Sequence, residues 1–203
     1  MQFEKFNKIP RLSRDMVITE KIDGSNGQIL IISFDNLMYE LEHLKAFDFI
    51  SKYCIYRDKN GLYIFAGSRK RWLDTSSKGD NMSFSKWVQD NAEELIKLGE
   101  GRHYGEWYGK GIQRNYGLEE KRFALFNVKK WTDDEMRPKC CQVVPILYEG
   151  KFCTEKIKEI INNMCESQIV KGFYNPEGIV IYHKASGQLF KKTIIGDDKP
   201  KNA

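Results

Sequence analysis

The sequence predicts a compact α+β protein, and three observations predict it. Apolar runs of strand length outnumber helical stripes. Strands and helices are not interleaved, which argues against a doubly wound parallel sheet. The composition is that of a globular chain, 41% hydrophobic and 13% aromatic. The 203 residues fit one domain or a small two-domain protein with ample material for a core. With no internal repeat and no Pro/Gly/Ser linker, residues 1–203 read as a single domain.

The elements follow in order. Strands are expected at Met16 to Thr19, Ile29 to Ile32, Leu62 to Ala66, Phe123 to Val128, Val143 to Leu147, Gly178 to Tyr182 and Gln188 to Thr193. One helix is expected after Ser83, with Phe84, Trp87, Val88, Asn91, Leu95 and Leu98 near helical spacing and a stop at Gly99. A second starts at Thr154 as N-cap, with Glu155 in its first turn and Ile157, Ile160, Ile161 and Met164 as its apolar face. A third is expected around Leu41 to Phe49. The polar tail from Gly196 to Ala203 is expected to fray.

Charge and cysteine usage narrow the function classes. A net charge of +5 permits a nucleic-acid partner without demanding one. No apolar run is long enough to span a membrane, and charges stand where a signal peptide would have its apolar core, so a cytoplasmic protein is expected. The five cysteines are odd in number and lack a Cys-x-x-Cys, which fits reduced thiols. His43, His103 and His183 show no zinc spacing.

The chemistry concentrates in a few short segments. Lys21-Ile22-Asp23-Gly24 follows the apolar run Met16-Val17-Ile18-Thr19 and sits within Thr19-Glu20-Lys21-Ile22-Asp23-Gly24-Ser25-Asn26-Gly27. A lysine so placed can act as a covalent nucleophile toward a nucleotide α-phosphate once it has shed its proton, although the tetrapeptide alone reads more simply as a surface lysine before an Asp-Gly turn. Gly24 lets the backbone turn tightly beside a ligand. In the segment from His103 to Gly111, Glu106 follows a glycine among aromatics, where a carboxylate can accept hydrogen bonds from a ribose. An edge strand with a Gly-rich turn explains the same segment equally well. Phe123 to Val128 reads as a buried strand, or as one with an aromatic face free to stack on a purine. Glu177, at the mouth of the apolar strand Gly178 to Tyr182, is a natural Mg²⁺ ligand or phosphate-site carboxylate. Lys191 and Lys192 end a strand, and alternation sends them to opposite faces, so one can reach the site while the other is solvated.

In this order the segments resemble the covalent nucleotidyltransferase superfamily of polynucleotide ligases and capping guanylyltransferases. Lys21-x-Asp23-Gly24 is similar to its nucleophile motif, Tyr104-Gly105-Glu106 to its third motif, and Phe123 to Val128 to the aromatic strand that follows. Glu177-Gly178-Ile179-Val180 is similar to the fourth motif and the Lys191-Lys192 region to the fifth, while Gly67 to Trp72 looks like the intervening Ser-Arg motif. Within the superfamily the chain most resembles the RNA-ligase branch that includes the RNA-editing ligases; Glu20 and Asn26 carry that preference.

The resemblance implies an adenylation fold, with two antiparallel sheets, flanking helices and an intervening nucleotide pocket. It implies an ATP-dependent RNA ligase working through lysyl-AMP with Mg²⁺, or Mn²⁺ in its place. Lys21 would be the nucleophile, with Lys191 or Lys192 on phosphate. Thr19, Glu20, Asn26, Arg69, Glu106 and Phe126 would bind nucleotide, with Glu106 on the ribose and Phe126 stacked on adenine. Glu177 would serve the metal. Lys191 is preferred over Lys192 because Phe190 and Lys192 then turn the other way. The partner would be RNA, as nicked duplex or single-stranded ends, or DNA. The ten residues after Thr193 cannot hold an OB-fold, which leaves a minimal ligase, one working with an accessory protein in place of a clamp domain, or one weak on unassisted ends. A DNA ligase, a guanylyltransferase, or an inactive nucleic-acid-binding module on the same scaffold is the alternative.

Overall fold

The computed structural model describes residues 2–41, 43–76 and 78–196. Strands β1 (Asp15–Lys21) and β2 (Ser25–Ser33) are followed by helices α1 (Phe34–Glu40) and α2 (His43–Tyr53), then by β3 (Cys54–Arg57), β4 (Leu62–Ser68) and the short β5 (Trp72–Leu73). Next come α3 (Phe84–Asp90), α4 (Ala92–Leu95), a 3-10 turn at Ile96–Leu98, β6 (Gly101–Gly109) and β7 (Lys121–Leu125). The chain continues through α5 (Val128–Trp131), β8 (Cys141–Val143), β9 (Ile146–Lys151), α6 (Thr154–Asn163), β10 (Gly178–His183) and β11 (Gln188–Thr193). These elements fall into two compact units, one from the described residues up to Ile22 and from Pro145 onward, the other from Asp23 to Val144.

The first unit is a four-stranded antiparallel sheet in the order β11-β10-β1-β9. Strand alternation sends Met16 and Ile18 to one face, where they join Ile179 and Ile181 of β10 and Ile161 of α6 in an apolar core. Ile157, Ile160 and Met164 pack against it, so the expected apolar stripe of α6 is the face that covers the sheet. Val17, Thr19 and Lys21 alternate to the opposite face. His183 fixes the entry to β1, its Nε2 lying 2.8 Å from the Leu12 carbonyl.

The second unit is a seven-stranded sheet, β3-β4-β2-β6-β7-β8, with β5 paired to β4. Its central strand β2 carries Ile29-Leu30-Ile31-Ile32 without alternation, because both faces of the sheet are covered. Ile29 and Ile31 pack with Phe84, Val88, Leu95, Trp107 and Phe123. Leu30 and Ile32 pack with Leu37, Ala46, Tyr63 and Phe65. All strand pairs of the two sheets are antiparallel except β7 with β8.

Several boundaries differ from expectation. The apolar run at 143–147 is not one strand. Val143 ends β8, Val144 donates its N–H to the Leu125 carbonyl at 3.1 Å, and Ile146 opens β9 in the other sheet. Pro145 between them has no N–H for a ladder. The strand expected at Phe123 to Val128 starts earlier and stops at Leu125, since Asn127 caps α5 with its side chain at 3.2 Å from Lys130 N. The helix after Ser83 breaks at Asn91, whose side-chain amide donates to the Trp87 carbonyl at 2.8 Å and competes with the helical ladder. It resumes as α4 and the 3-10 turn and stops at Gly99, with φ at +76°. Cys153, not Thr154, is the N-cap of α6, and the Thr154 hydroxyl donates to Glu155 instead. The helix expected at Leu41 to Phe49 is α2, shifted toward the C-terminus. Helix α1 and strands β3 and β5 were not expected; α1 is seven residues long and β5 two. Most of the tail expected to fray lies outside the described residues.

Candidate active site

Lys21 is the last residue of β1 and pairs with Gly178, the first of β10. The residue before Gly178 is Glu177, and the Lys21 ammonium lies 2.5 Å from its Oε2. Glu177 is buried and Lys21 largely so, with side-chain exposures of 5% and 18%. Gly178 has φ at +154°, and a methyl group there would come within 2.2 Å of the Lys192 carbonyl oxygen. Only glycine lets β11 lie this close beside the residue that faces Lys21.

The register places the two candidate lysines of β11 on different faces. Lys191 pairs with Val180, which pairs with Thr19, so Lys191 shares the sheet face of Thr19 and Lys21. Lys192 pairs with Ile179, which pairs with Glu20, on the face covered by α6.

Glu20, expected among the nucleotide-binding residues, turns into that covered face and is 1% exposed. Its Oε1 accepts the Ser167 hydroxyl at 2.6 Å, and its Oε2 accepts the N–H groups of Gln168 at 2.8 Å and Ile169 at 3.0 Å. Burial pushes the carboxyl up from its ordinary range, against the pull of these three donors. Glu20 ties β1 to the 167–169 loop, so its observed contacts are structural. The sequence carried no signal for this loop as its partner.

In the second unit the segment after Lys21 is held by a separate network. Asp23 receives Arg114 Nε at 3.1 Å, and the Asp23 N–H donates to the Tyr116 hydroxyl at 2.8 Å. Glu106, buried on β6, accepts the Gly24 N–H at 3.1 Å with Oε1 and the Asn26 side-chain amide at 2.9 Å with Oε2. A methyl group on Gly24 would sit 2.4 Å from the Trp107 carbonyl oxygen. Glycine is therefore required here by a backbone approach. Arg114 and Tyr116 were not singled out from the sequence. Their segment shows positive φ at Gln113, Asn115 and Tyr116, and strain of this kind clusters at functional sites. The glycines at 109, 111 and 117 were its only visible signal.

Phe126 stands just past β7, its N–H donating to the Tyr104 carbonyl at 2.9 Å. Phe126 is 41% and Tyr104 50% exposed, so both rings are free to meet a ligand. Arg69 and Lys70 are exposed at the tip of the β4–β5 turn, which Ser68 closes by donating its N–H to the Arg71 carbonyl at 2.8 Å. Arg71 itself is occupied by the carbonyls of Gly79 and Asp80. Among the described residues, no three or more His, Cys, Asp or Glu side chains gather into a metal cluster. None of the helices there is long and apolar enough to cross a membrane. The described cysteines are free thiols.

The comparisons fit this picture. The family described as RNA ligase matches residues 14–193. No curated protein matches. Among solved structures, a Naegleria gruberi RNA ligase is similar in three states. A lysine-to-alanine variant with ATP and Mn superposes with a TM-score of 0.55 at 18% identity, over 89% of this chain and 49% of that one. A lysine-to-methionine variant with AMP and Mn gives 0.55 at 18%, over 90% and 50%. The enzyme with PPi gives 0.54 at 19%, over 89% and 50%. The likeness is one of fold, and the chain spans about half the length of these proteins.

Proposed function

The chain belongs to the RNA ligase family, and from that membership we propose that it joins 5′-phosphate and 3′-hydroxyl RNA ends with ATP, through AMP carried on Lys21. The observation that carries this reading is the first unit's sheet face. Lys21 and its carboxylate partner Glu177 meet there, and the pairing of β1, β10 and β11 puts Lys191 on the same face.

In the first step Lys21 leaves its ion pair, sheds its proton and attacks the ATP α-phosphorus. A P–N bond forms, the bond to the β-phosphate oxygen breaks, and pyrophosphate departs. Lys191 offsets charge on the phosphates from the same face. Glu106 and Asn26 would bind the ribose side of the nucleotide, Phe126 would stack on adenine, and Thr19 and Arg69 would reach its phosphates. The AMP then passes to an RNA 5′-phosphate, and a 3′-hydroxyl displaces it to close the strand.

A divalent ion fits this chemistry. Glu177 offers one buried carboxylate, and Mg²⁺ is commonly held by one or two carboxylates together with substrate phosphates and water. When bound by Glu177 and the phosphates, Mg²⁺ or Mn²⁺ would supply positive charge against the polyanionic substrates.

The test is covalent labelling. Protein given radiolabelled ATP and Mg²⁺ should acquire one AMP, stable to denaturant and labile to acid. Lys21→Ala and Lys21→Arg should both lose it, since a guanidinium stays protonated. An undiminished label in Lys21→Ala would end the mechanism. A label from GTP in place of ATP would move the chain to the guanylyltransferase reading.

A further inference from the structure

The segment before β1 is built from four consecutive triplets of one pattern. Phe3-Glu4-Lys5, Phe6-Asn7-Lys8, Ile9-Pro10-Arg11 and Leu12-Ser13-Arg14 each begin with an apolar residue and end with a basic one. The apolar members are in water: Phe3 is 92%, Phe6 83%, Ile9 76% and Leu12 67% exposed. No helix or strand forms between Gln2 and Arg11. Two carbonyls fasten the end of the segment: that of Leu12 to His183, and that of Arg14, which accepts the Phe152 N–H at 3.0 Å.

The period of three selects a conformation. At about 100° per residue an α-helix would carry Phe3 and Leu12 to opposite sides, and Pro10 would break it. A polyproline-II strand has three residues per turn and a rise of about 3.1 Å per residue. In that form the apolar side chains align along one edge. Lys5, Lys8 and Arg11 align along another, with about 9 Å between successive members, before the turn at Leu12 and Ser13. Aromatic groups beside a row of cations are what a single-stranded nucleic acid engages, bases on the rings and phosphates on the cations.

We propose that residues 3–14 form an arm that binds a single strand of RNA, Phe3 and Phe6 stacking on bases and Lys5, Lys8 and Arg11 contacting phosphates. The charge is complementary, with four cations against the single carboxylate of Glu4. The proposal rests on RNA being the substrate and adds where a strand is held outside the catalytic residues.

The experiment measures anisotropy of a fluorescent single-stranded RNA 12-mer across a salt series, with the full chain. The triple variant Lys5→Gln, Lys8→Gln, Arg11→Gln should flatten the slope of log affinity against log salt by about 2, because three phosphates of a single strand then keep their counterions. The pair Phe3→Ser, Phe6→Ser should weaken binding by about thirtyfold or more, with the slope unchanged. Both variants should label with ATP as the parent does, because they touch none of the residues of the first step. Loss of labelling from the parent chain itself would defeat the ligase reading and leave the binding result to stand alone. RNA affinity and slope equal to the parent's in both variants would overturn the arm. So would a parent that binds no RNA. Two further results would also overturn it: dimerisation of the parent that Phe3→Ser, Phe6→Ser abolishes while RNA binding persists, or arm-dependent binding confined to phosphatidylserine vesicles.

Discussion

The Lys21 ammonium and the Glu177 carboxylate, 2.5 Å apart, join two strand ends that lie 156 residues apart in sequence. In the proposed mechanism this pair opens for Lys21 to attack, and the freed carboxylate would then hold the divalent ion together with the phosphates. Glu177→Gln removes the anion with little change of shape. Labelling by ATP should fall by roughly 10²-fold or more, while circular dichroism remains that of the folded parent. Labelling at the parent's rate would show that the carboxylate has no part in the first step.

Lys191 and Lys192 should separate cleanly. Lys191→Ala removes a cation from the Lys21 face and should slow adduct formation by roughly 10²-fold. Lys192→Ala acts on the covered face and should leave the rate within a few-fold of the parent. Single-turnover labelling checks both. The reverse order would mean that β11 pairs differently in solution.

Phe126 should matter to nucleotide and not to folding. Phe126→Ala should weaken ATP use by roughly 1–3 kcal/mol, the size of one lost base–aromatic stack, and Phe126→Tyr should be nearly neutral. At 41% exposure the ring contributes little to the core, so the melting temperature should hold. Equal damage from both substitutions would make Phe126 a packing residue.

Glu106 should carry both stability and binding. Glu106→Ala strands the Gly24 N–H and the Asn26 amide, at a cost of about 1–3 kcal/mol in stability. Asn26→Ala removes one donor and leaves the carboxylate paired with Gly24, so its cost should be smaller. Denaturant melts of the two variants measure the difference.

Two buried groups set opposite pH trends. The Glu20 carboxyl is pushed up by burial, so its contribution to stability is full below the unfolded carboxyl value and fades as pH rises through the raised folded value. His103 is pushed down, first by burial and further by Lys130, against the Gly99 carbonyl. Its contribution is present above the unfolded value near 6.5 and is lost as pH falls toward the lowered folded one. Stability melts from pH 8 to 4 should show a steeper acid-side loss in the parent than in His103→Gln. Glu20→Gln should lose ground to the parent as the solution is made more acidic. A parent and a His103→Gln that decline together in acid would refute the histidine assignment.

Much of this was legible in the chain. The apolar run of β2 and the stripe of α6 announced themselves because burial imposes a period or removes it. Lys21 and Glu177, which the structure pairs, stand out in the sequence because each lies in a short segment with a glycine, Gly24 or Gly178, that a backbone approach requires. The partners of Glu20 and Asp23 were not. Ser167 and Arg114 are remote in sequence, and a hydrogen bond between remote residues leaves no periodic trace. The 143–147 run misled because its apolar residues serve two different sheets.

The first unit is assembled from both ends of the described chain, while the second is one continuous stretch. Strand β1 lies between β9 and β10, and neither exists on a ribosome until well over a hundred residues more have been made. Closing so long a loop is slow, and domains of continuous sequence fold as they emerge. The unit holding Glu106 and Asn26 can therefore be complete while the strand that carries Lys21 still lacks neighbours. During synthesis Lys21 is among the last residues to acquire its setting, and a nascent chain stalled before β10 would present a lysine with neither its carboxylate nor its full sheet.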